Sequence, residues 1–291
     1  MPGPDDAHRY TATWCQGGTI DYAQTAAGRR VRYLAAGTGP PLVLLHTVRT
    51  QLDHFQLLVP QITARYTVYA VDFPGMGWSD IAAGARYEEP DLRSAVVSVI
   101  NHLGLAGLTL AGESMGATIA LTAAADLGGR VSRVVAVNAY DYPGGIQRAN
   151  LLAWLAAGGA RRPAPGALVG RLENKPILAG IMRGGLHDPR QLPGHYLDEL
   201  RRVGRRPGYP QVATAIFRNL GSLIAARERY GNINAEVTLV YGDSDWSRPS
   251  DRAANKALLP RAHHITLGQT GHFAALDHPD QIAQILLNDR A

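Results

Sequence analysis

The stretch LTLAGESMGATIALTAAA, residues 108–125, decides the fold. It opens as a short apolar strand, Leu108–Gly112, and continues from Met115 to Leu127 with helical spacing. Between the two stand Glu113 and Ser114, flanked by Gly112 and Gly116. A strand that becomes a helix within so few residues brings backbones too close for side chains, and glycines on both sides of a serine permit it. The serine then sits on a strained turn with its hydroxyl exposed. The helix points its N-terminus, with the free N–H of Met115, at that hydroxyl. Such a placement suits a nucleophile. The competing reading is a serine that merely caps a helix, and the strand–turn–helix context favours the nucleophile.

The pattern extends in both directions. Leu42–His46, Tyr66–Asp72 and Val131–Asn138 are further short runs rich in Val, Leu and Ile, of the kind buried on both faces of a parallel sheet. Helix-period segments at His54–Ala64 and Glu89–Leu103 alternate with them. This βαβ order predicts right-handed crossovers and helices on both sheet faces. Upstream, Thr19–Gln24 and Arg30–Ala36 alternate about a turn at Gly28 and predict an antiparallel hairpin, and the first 18 residues read as a polar leader. Downstream, Asp141–Asn232 is rich in Gly, Pro and Arg, with broken helical patches at Ile146–Ala157 and Val212–Tyr230. Val237–Tyr241 (strand), Arg252–Leu259 (helix), Ala262–Leu267 (strand) and Pro279–Asp289 (helix) then resume the alternation. The expectation is an α/β fold with a mostly parallel central sheet. Residues 1–140 and 233–291 form its core, and 141–232 is an inserted helical cap, too long for a simple loop.

Composition narrows the function. With 291 residues, 46% hydrophobic and 18% charged, the chain can bury a substantial core. Its net charge is +5, but 27 of 29 basic residues are Arg and no basic run or nucleic-acid motif occurs. A nucleic-acid partner is not expected. One cysteine, Cys15, excludes an internal disulfide, and no metal-binding spacing is present, so neither metal nor cofactor is expected. No apolar run of 18 residues is found, and the start lacks an apolar signal region. The expected location is cytoplasmic, without a membrane partner.

A serine hydroxyl is a weak nucleophile and needs a base oriented by a carboxylate. His272 follows the Ala262–Leu267 strand, and Asp245 follows Val237–Tyr241, so both belong at the sheet edge that carries Ser114. Asp243, in the same loop as Asp245, and Asp141, after the Val131–Asn138 strand, are the other carboxylates at this edge.

Together these motifs resemble the α/β-hydrolase superfamily over nearly the whole chain. The elbow Gly112-Glu113-Ser114-Met115-Gly116 is joined by Leu44-Leu45-His46, similar to the family's strand ending in His-Gly. Asp72-Phe73-Pro74-Gly75-Met76-Gly77-Trp78-Ser79 resembles its D-x-P-G-x-G-x-S turn. The resemblance implies a Ser114–His272–Asp245 triad, with Asp141 as the alternative acid, and an oxyanion hole from the N–H groups of Met115 and Val48. It places the cap where the insertion falls. Dehalogenases and epoxide hydrolases of this fold carry aspartate at the elbow, so Ser114 implies esters, lactones, thioesters, amides or C–C bonds beside a carbonyl.

One position departs from the pattern. The family usually has glycine after the strand-end histidine, and here Thr47 follows His46. His46-Thr47-Val48 is similar to the plant hydroxynitrile lyases, which implies a pocket-facing Thr47 and keeps a non-hydrolytic lyase open as an alternative. Their lysine near the catalytic histidine has no counterpart here. A non-enzymatic ligand-binding member of the fold is the other alternative. Arg49, Tyr140 and Trp246 are further pocket candidates, with solvation or packing as the competing role. The expected partner is a small-molecule substrate. Residues 141–232 hold 14 basic and 6 acidic side chains, a surplus of 8 that favours an anionic or carrier-bound substrate, unless it is simply a solvated surface.

Overall fold

A computed structural model describes residues 7–149 and 175–288. Its centre is an eight-stranded sheet in the order β1-β2-β4-β3-β5-β6-β7-β8. The strands are β1 Thr19–Gln24, β2 Arg30–Ala36, β3 Pro41–Leu45, β4 Thr67–Val71, β5 Leu108–Glu113, β6 Val131–Val137, β7 Glu236–Gly242 and β8 His263–Leu267. β2 runs antiparallel to both its neighbours, and every pairing from β4 through β8 is parallel.

The Val- and Leu-rich strands are buried because both faces are covered. Val43, Leu45, Leu110, Val134 and Leu239 face one hydrophobic core, while Leu42, Leu44, Ala111, Val135 and Val240 face another. The first core is roofed by α1 (Glu89–His102) and α2 (Met115–Leu127). The second is closed by short helical turns at Leu52–Phe55 and Val59–Ile62 and by the C-terminal helix Pro279–Leu287. The continuous helix expected over His54–Ala64 is instead two short pieces, and within the first of them Asp53 and His54 turn inward to buried polar partners.

From Ala7 onward the leader is tied to the core. Thr11 and the Trp14 indole both donate to Asp53 at 2.7 Å, and Asp53 pairs with fully buried Arg32 at 3.2 Å. Arg32 also holds Asp72 at 2.6 Å and donates to the Ala7 carbonyl. A buried guanidinium needs this many acceptors, and the leader supplies one of them.

Between β6 and β7 the described residues form three longer helices: α3 Lys175–Arg183, α4 Gly194–Gly204 and α5 Tyr209–Arg218. The patch expected at Ile146–Ala157 is a single short turn, Ile146–Arg148, as far as Ala149, and its remainder lies outside the described residues. The Val212–Tyr230 patch is broken at Asn219, after α5, into a short helix Gly221–Ala225 and a tight turn Ala226–Asn232. Among the described residues no helix is long and apolar enough to cross a membrane.

The strand order positions the site. The chain moves from β3 outward to β4 and then returns to β5 on the other side of β3. The carboxyl ends of β3 and β5 thus lie side by side, with Leu45 opposite Gly112. Such a reversal point opens a crevice at the strand ends.

Candidate active site

Ser114 leaves β5 with φ 60° and ψ −120°, a conformation that a side-chain-bearing residue adopts only under constraint. The constraints are visible. Its N–H donates to the Val137 carbonyl at 2.9 Å, and its own carbonyl accepts from Tyr140, Ala117 and Thr118. A Cβ on Gly112 would lie 2.3 Å from the Gly116 carbonyl oxygen, and one on Gly116 would lie 2.0 Å from that of Leu45. These are backbone atoms and cannot swing aside. The flanking glycines are required by close approach.

The His272 ring joins the three predicted residues. Its Nε2 lies 2.8 Å from Ser114 Oγ and its Nδ1 2.5 Å from Asp245 Oδ1. An ionised carboxylate only accepts, so Nδ1 carries the proton and Nε2 is free to receive that of the serine. Ser114 and His272 are buried, as is the Asp245 side chain. Burial pushes the Asp245 carboxyl up, but its electrostatic interaction and hydrogen bond with His272 and two bonds from Ser247 outweigh this and hold it below the usual carboxylate range.

Asp141 stands elsewhere. Its carboxylate accepts from Tyr230 at 2.7 Å and from Asn255 at 3.1 and 2.9 Å, and burial raises its pKa. Asp243 accepts the N–H groups of Gln269 and Thr270 and shapes the turn after β8.

Beside Ser114, the chain leaving β3 is fixed by His46. Its Nδ1 donates to the Thr47 carbonyl at 2.7 Å, and its Nε2 accepts the Phe73 N–H at 3.1 Å. Complete burial pushes the imidazole down to about 4, so it is neutral near pH 7 and suits both bonds. The next N–H, from Val48, and that of Met115 have no hydrogen-bond partner among the described residues. Thr47 is fully buried, and its hydroxyl is likewise unpartnered among the described residues.

The remaining candidates diverge. Trp246 stacks on the imidazole of His272, centroids 3.7 Å apart and planes at 12°. Tyr140 presents an edge to the same ring at 6.2 Å, and its hydroxyl accepts the Ile146 N–H. Arg49, with φ 61°, lies over the ring of Tyr209 on α5 at 5.4 Å.

Two supporting residues escaped the sequence reading. Asn138 donates to the carbonyls of Gly271 and His272, both at 3.0 Å, and accepts the Gly242 N–H, tying the histidine loop to β7. An Asn that ends a buried strand was the only local sign. Glu113, the charged neighbour of Ser114, accepts the Ala275 N–H at 2.9 Å and pairs with His54. Among the described residues, no group of three His, Cys, Asp or Glu side chains could hold a metal ion.

A family model described as alpha/beta hydrolase fold matches residues 40–168, from β3 through the elbow and into the insertion. The solved structure of Cfl2 from Burkholderia cenocepacia superposes with a TM-score of 0.81 at 21% identity, covering 93% of this chain and 95% of that one. The chain has the α/β-hydrolase fold. Among the proteins similar in sequence is haloalkane dehalogenase 2 of Mycobacterium tuberculosis, 24% identical, with 89% of this chain and 90% of the relative covered. Another is 2-hydroxymuconate semialdehyde hydrolase of Pseudomonas sp. CF600, 26% identical over 90% of each chain. These kinships support a hydrolase in the broad sense.

Proposed function

We propose that this α/β-hydrolase is a cofactor-independent serine hydrolase that cleaves a carbonyl substrate through an acyl-enzyme. The observation that carries the proposal is the unbroken hydrogen-bonded chain Asp245–His272–Ser114. His272 Nε2 takes the serine proton as Oγ bonds to the carbonyl carbon. The N–H groups of Met115 and Val48 receive the oxyanion. Asp245 keeps the imidazole in the tautomer that can accept and stabilises the imidazolium. Collapse expels the leaving group with the proton held by His272. Water, deprotonated by the same nitrogen, then attacks the acyl carbon and releases the acid and Ser114.

The dehalogenase relative does not redirect this reading, because the elbow here carries serine. Esters, lactones and thioesters are the first substrates to assay, with C–C bonds beside a carbonyl after them. An anionic or carrier-bound substrate would have to be drawn by basic residues of 141–232 other than five that are already engaged. Arg148, Arg190, Arg202 and Arg229 already pair with carboxylates, and Arg206 binds the carbonyls of Gly77 and Ser79.

Intact mass after exposure to a fluorophosphonate tests the nucleophile. One adduct on the wild type and none on Ser114→Ala supports it, and kcat should fall by about 10³-fold or more in that variant. An equally active Ser114→Ala enzyme would rule the mechanism out.

Thr47 favours a second reading. A buried hydroxyl without a protein partner is costly unless substrate supplies one. A lyase using Ser114 and His272 as a base would employ it without an acyl-enzyme. Turnover in ¹⁸O-water separates the two: label in the product acid supports hydrolysis, and unlabelled products support the lyase.

A further inference from the structure

We infer that the α3–α4 pair is the seat that aligns the acid and base of this site, with Trp246 as its positioning residue; this rests on the triad reading above. The residue after Asp245 is Trp246, and the residue after His272 is Phe273. Both leave the triad and enter the insertion. α3 and α4 pack through Leu178, Met182, Tyr196 and Leu197, and Phe273 and Trp246 join that same apolar cluster. A helix pair of this length cannot bury its apolar face alone. Here part of its cover comes from the two triad loops.

Hydrogen bonds lock the contact. The Trp246 indole N–H donates to the Gly184 carbonyl at 3.1 Å, and the Phe273 N–H donates to that of Gly185 at 2.9 Å. Asp277, just past the histidine loop, accepts from His187 at 2.9 Å, Asp188 at 3.3 Å and Gly271 at 2.8 Å. A Cβ on Gly185 would come within 2.3 Å of the Phe273 ring, and one on Gly271 within 2.6 Å of the Gly185 oxygen. Gly184-Gly185 is a contact point, not a free hinge.

The stack explains what Trp246 adds. Bonds at Nδ1 and Nε2 hold the two ends of the imidazole but leave it able to rock about the line between them. An indole lying flat against it, 3.7 Å between centroids and 12° from parallel, opposes that rocking. The same face remains favourable when the ring becomes a cation during the reaction. The other aromatic neighbours, Tyr140 and Phe273, meet the ring edge-on and offer no such surface. The insertion thereby acts on the base through Trp246 and on its backbone through Gly185.

Three variants test this: Trp246→Leu, Trp246→Phe and Gly185→Ala. Each is read by the second-order rate of fluorophosphonate labelling at Ser114, by kcat and KM on a small ester, and by its melting transition. Trp246→Leu should label about 10- to 100-fold more slowly with KM little changed, the scale expected for a misplaced catalytic group. Trp246→Phe keeps a flat ring and loses only the indole bond, so it should stay within about fivefold of wild type. Gly185→Ala should slow labelling although it touches no triad residue. Folded Trp246→Leu and Gly185→Ala proteins that label at the wild-type rate would overturn the seat while leaving the triad standing. A wild type that takes no label overturns the triad reading, and the seat with it. Should Trp246→Leu fail to fold, Gly185→Ala decides the matter.

Discussion

Lowering the pH should loosen this protein at one identifiable imidazole. His46 is wholly buried between the Thr47 carbonyl and the Phe73 N–H. Burial, opposed by Asp72 and the Thr47 bond and aided by the His54 and Arg32 charges, lowers its pKa from 6.5 to about 4. Between those values the unfolded chain binds a proton that the folded chain does not. Stability is then complete above pH 6.5 and declines as the pH falls toward 4. At about 1.36 kcal/mol per pH unit, the interval is worth about 3 kcal/mol. The protonated ring would also turn an N–H toward the Phe73 N–H, so the loop bearing Val48 should shift with it. Urea unfolding of wild type and His46→Gln at pH 7, 6, 5 and 4.5 isolates the effect, since other carboxylates titrate in both proteins. The variant begins less stable, and the gap should narrow steadily with acid, closing by about 3 kcal/mol at the limit. Stability curves that run parallel across this range would refute the assignment.

Other outcomes follow from the same geometry. Asp245→Asn should reduce kcat by about 10⁴-fold by presenting the wrong tautomer of His272, whereas Asp141→Asn should leave kcat nearly intact and cost about 1–3 kcal/mol of stability. Parallel kinetics and melts on the two variants check this directly. Gly116→Ala drives a methyl into the Leu45 and His46 carbonyls, 2.0 and 2.6 Å from where it would sit. It should cost about 3 kcal/mol or more, seen as a lower urea midpoint, and a midpoint near wild type would mean the elbow is less tightly packed than described.

What could be read in advance was whatever local order encodes. Parallel strands buried on both faces are runs of Val and Leu by necessity, so β3 to β7 lie within a residue or two of their expected bounds. The elbow was legible because its glycines answer a local demand, the approach of Gly112 to Gly116 four residues away. Helical spacing misled at His54–Ala64, where Asp53 and His54 are claimed by Arg32 and Glu113 from distant strands. The anchoring of the leader was not legible for the same reason: Thr11 and Trp14 are held through Asp53, some forty residues on. Trp246 shows the limit most sharply. Its neighbour Asp245 could be picked out by the resemblance of the loop after β7 to the family's, but the stack on His272 and the bond to Gly184 join three segments with no shared pattern. Local periodicity specifies which face of an element is buried, while the partner on that face depends on topology. The order of the loops therefore suffices to expect Ser114, His272 and Asp245 at one sheet edge, and the packing around them becomes visible only when those loops meet the segment between β6 and β7.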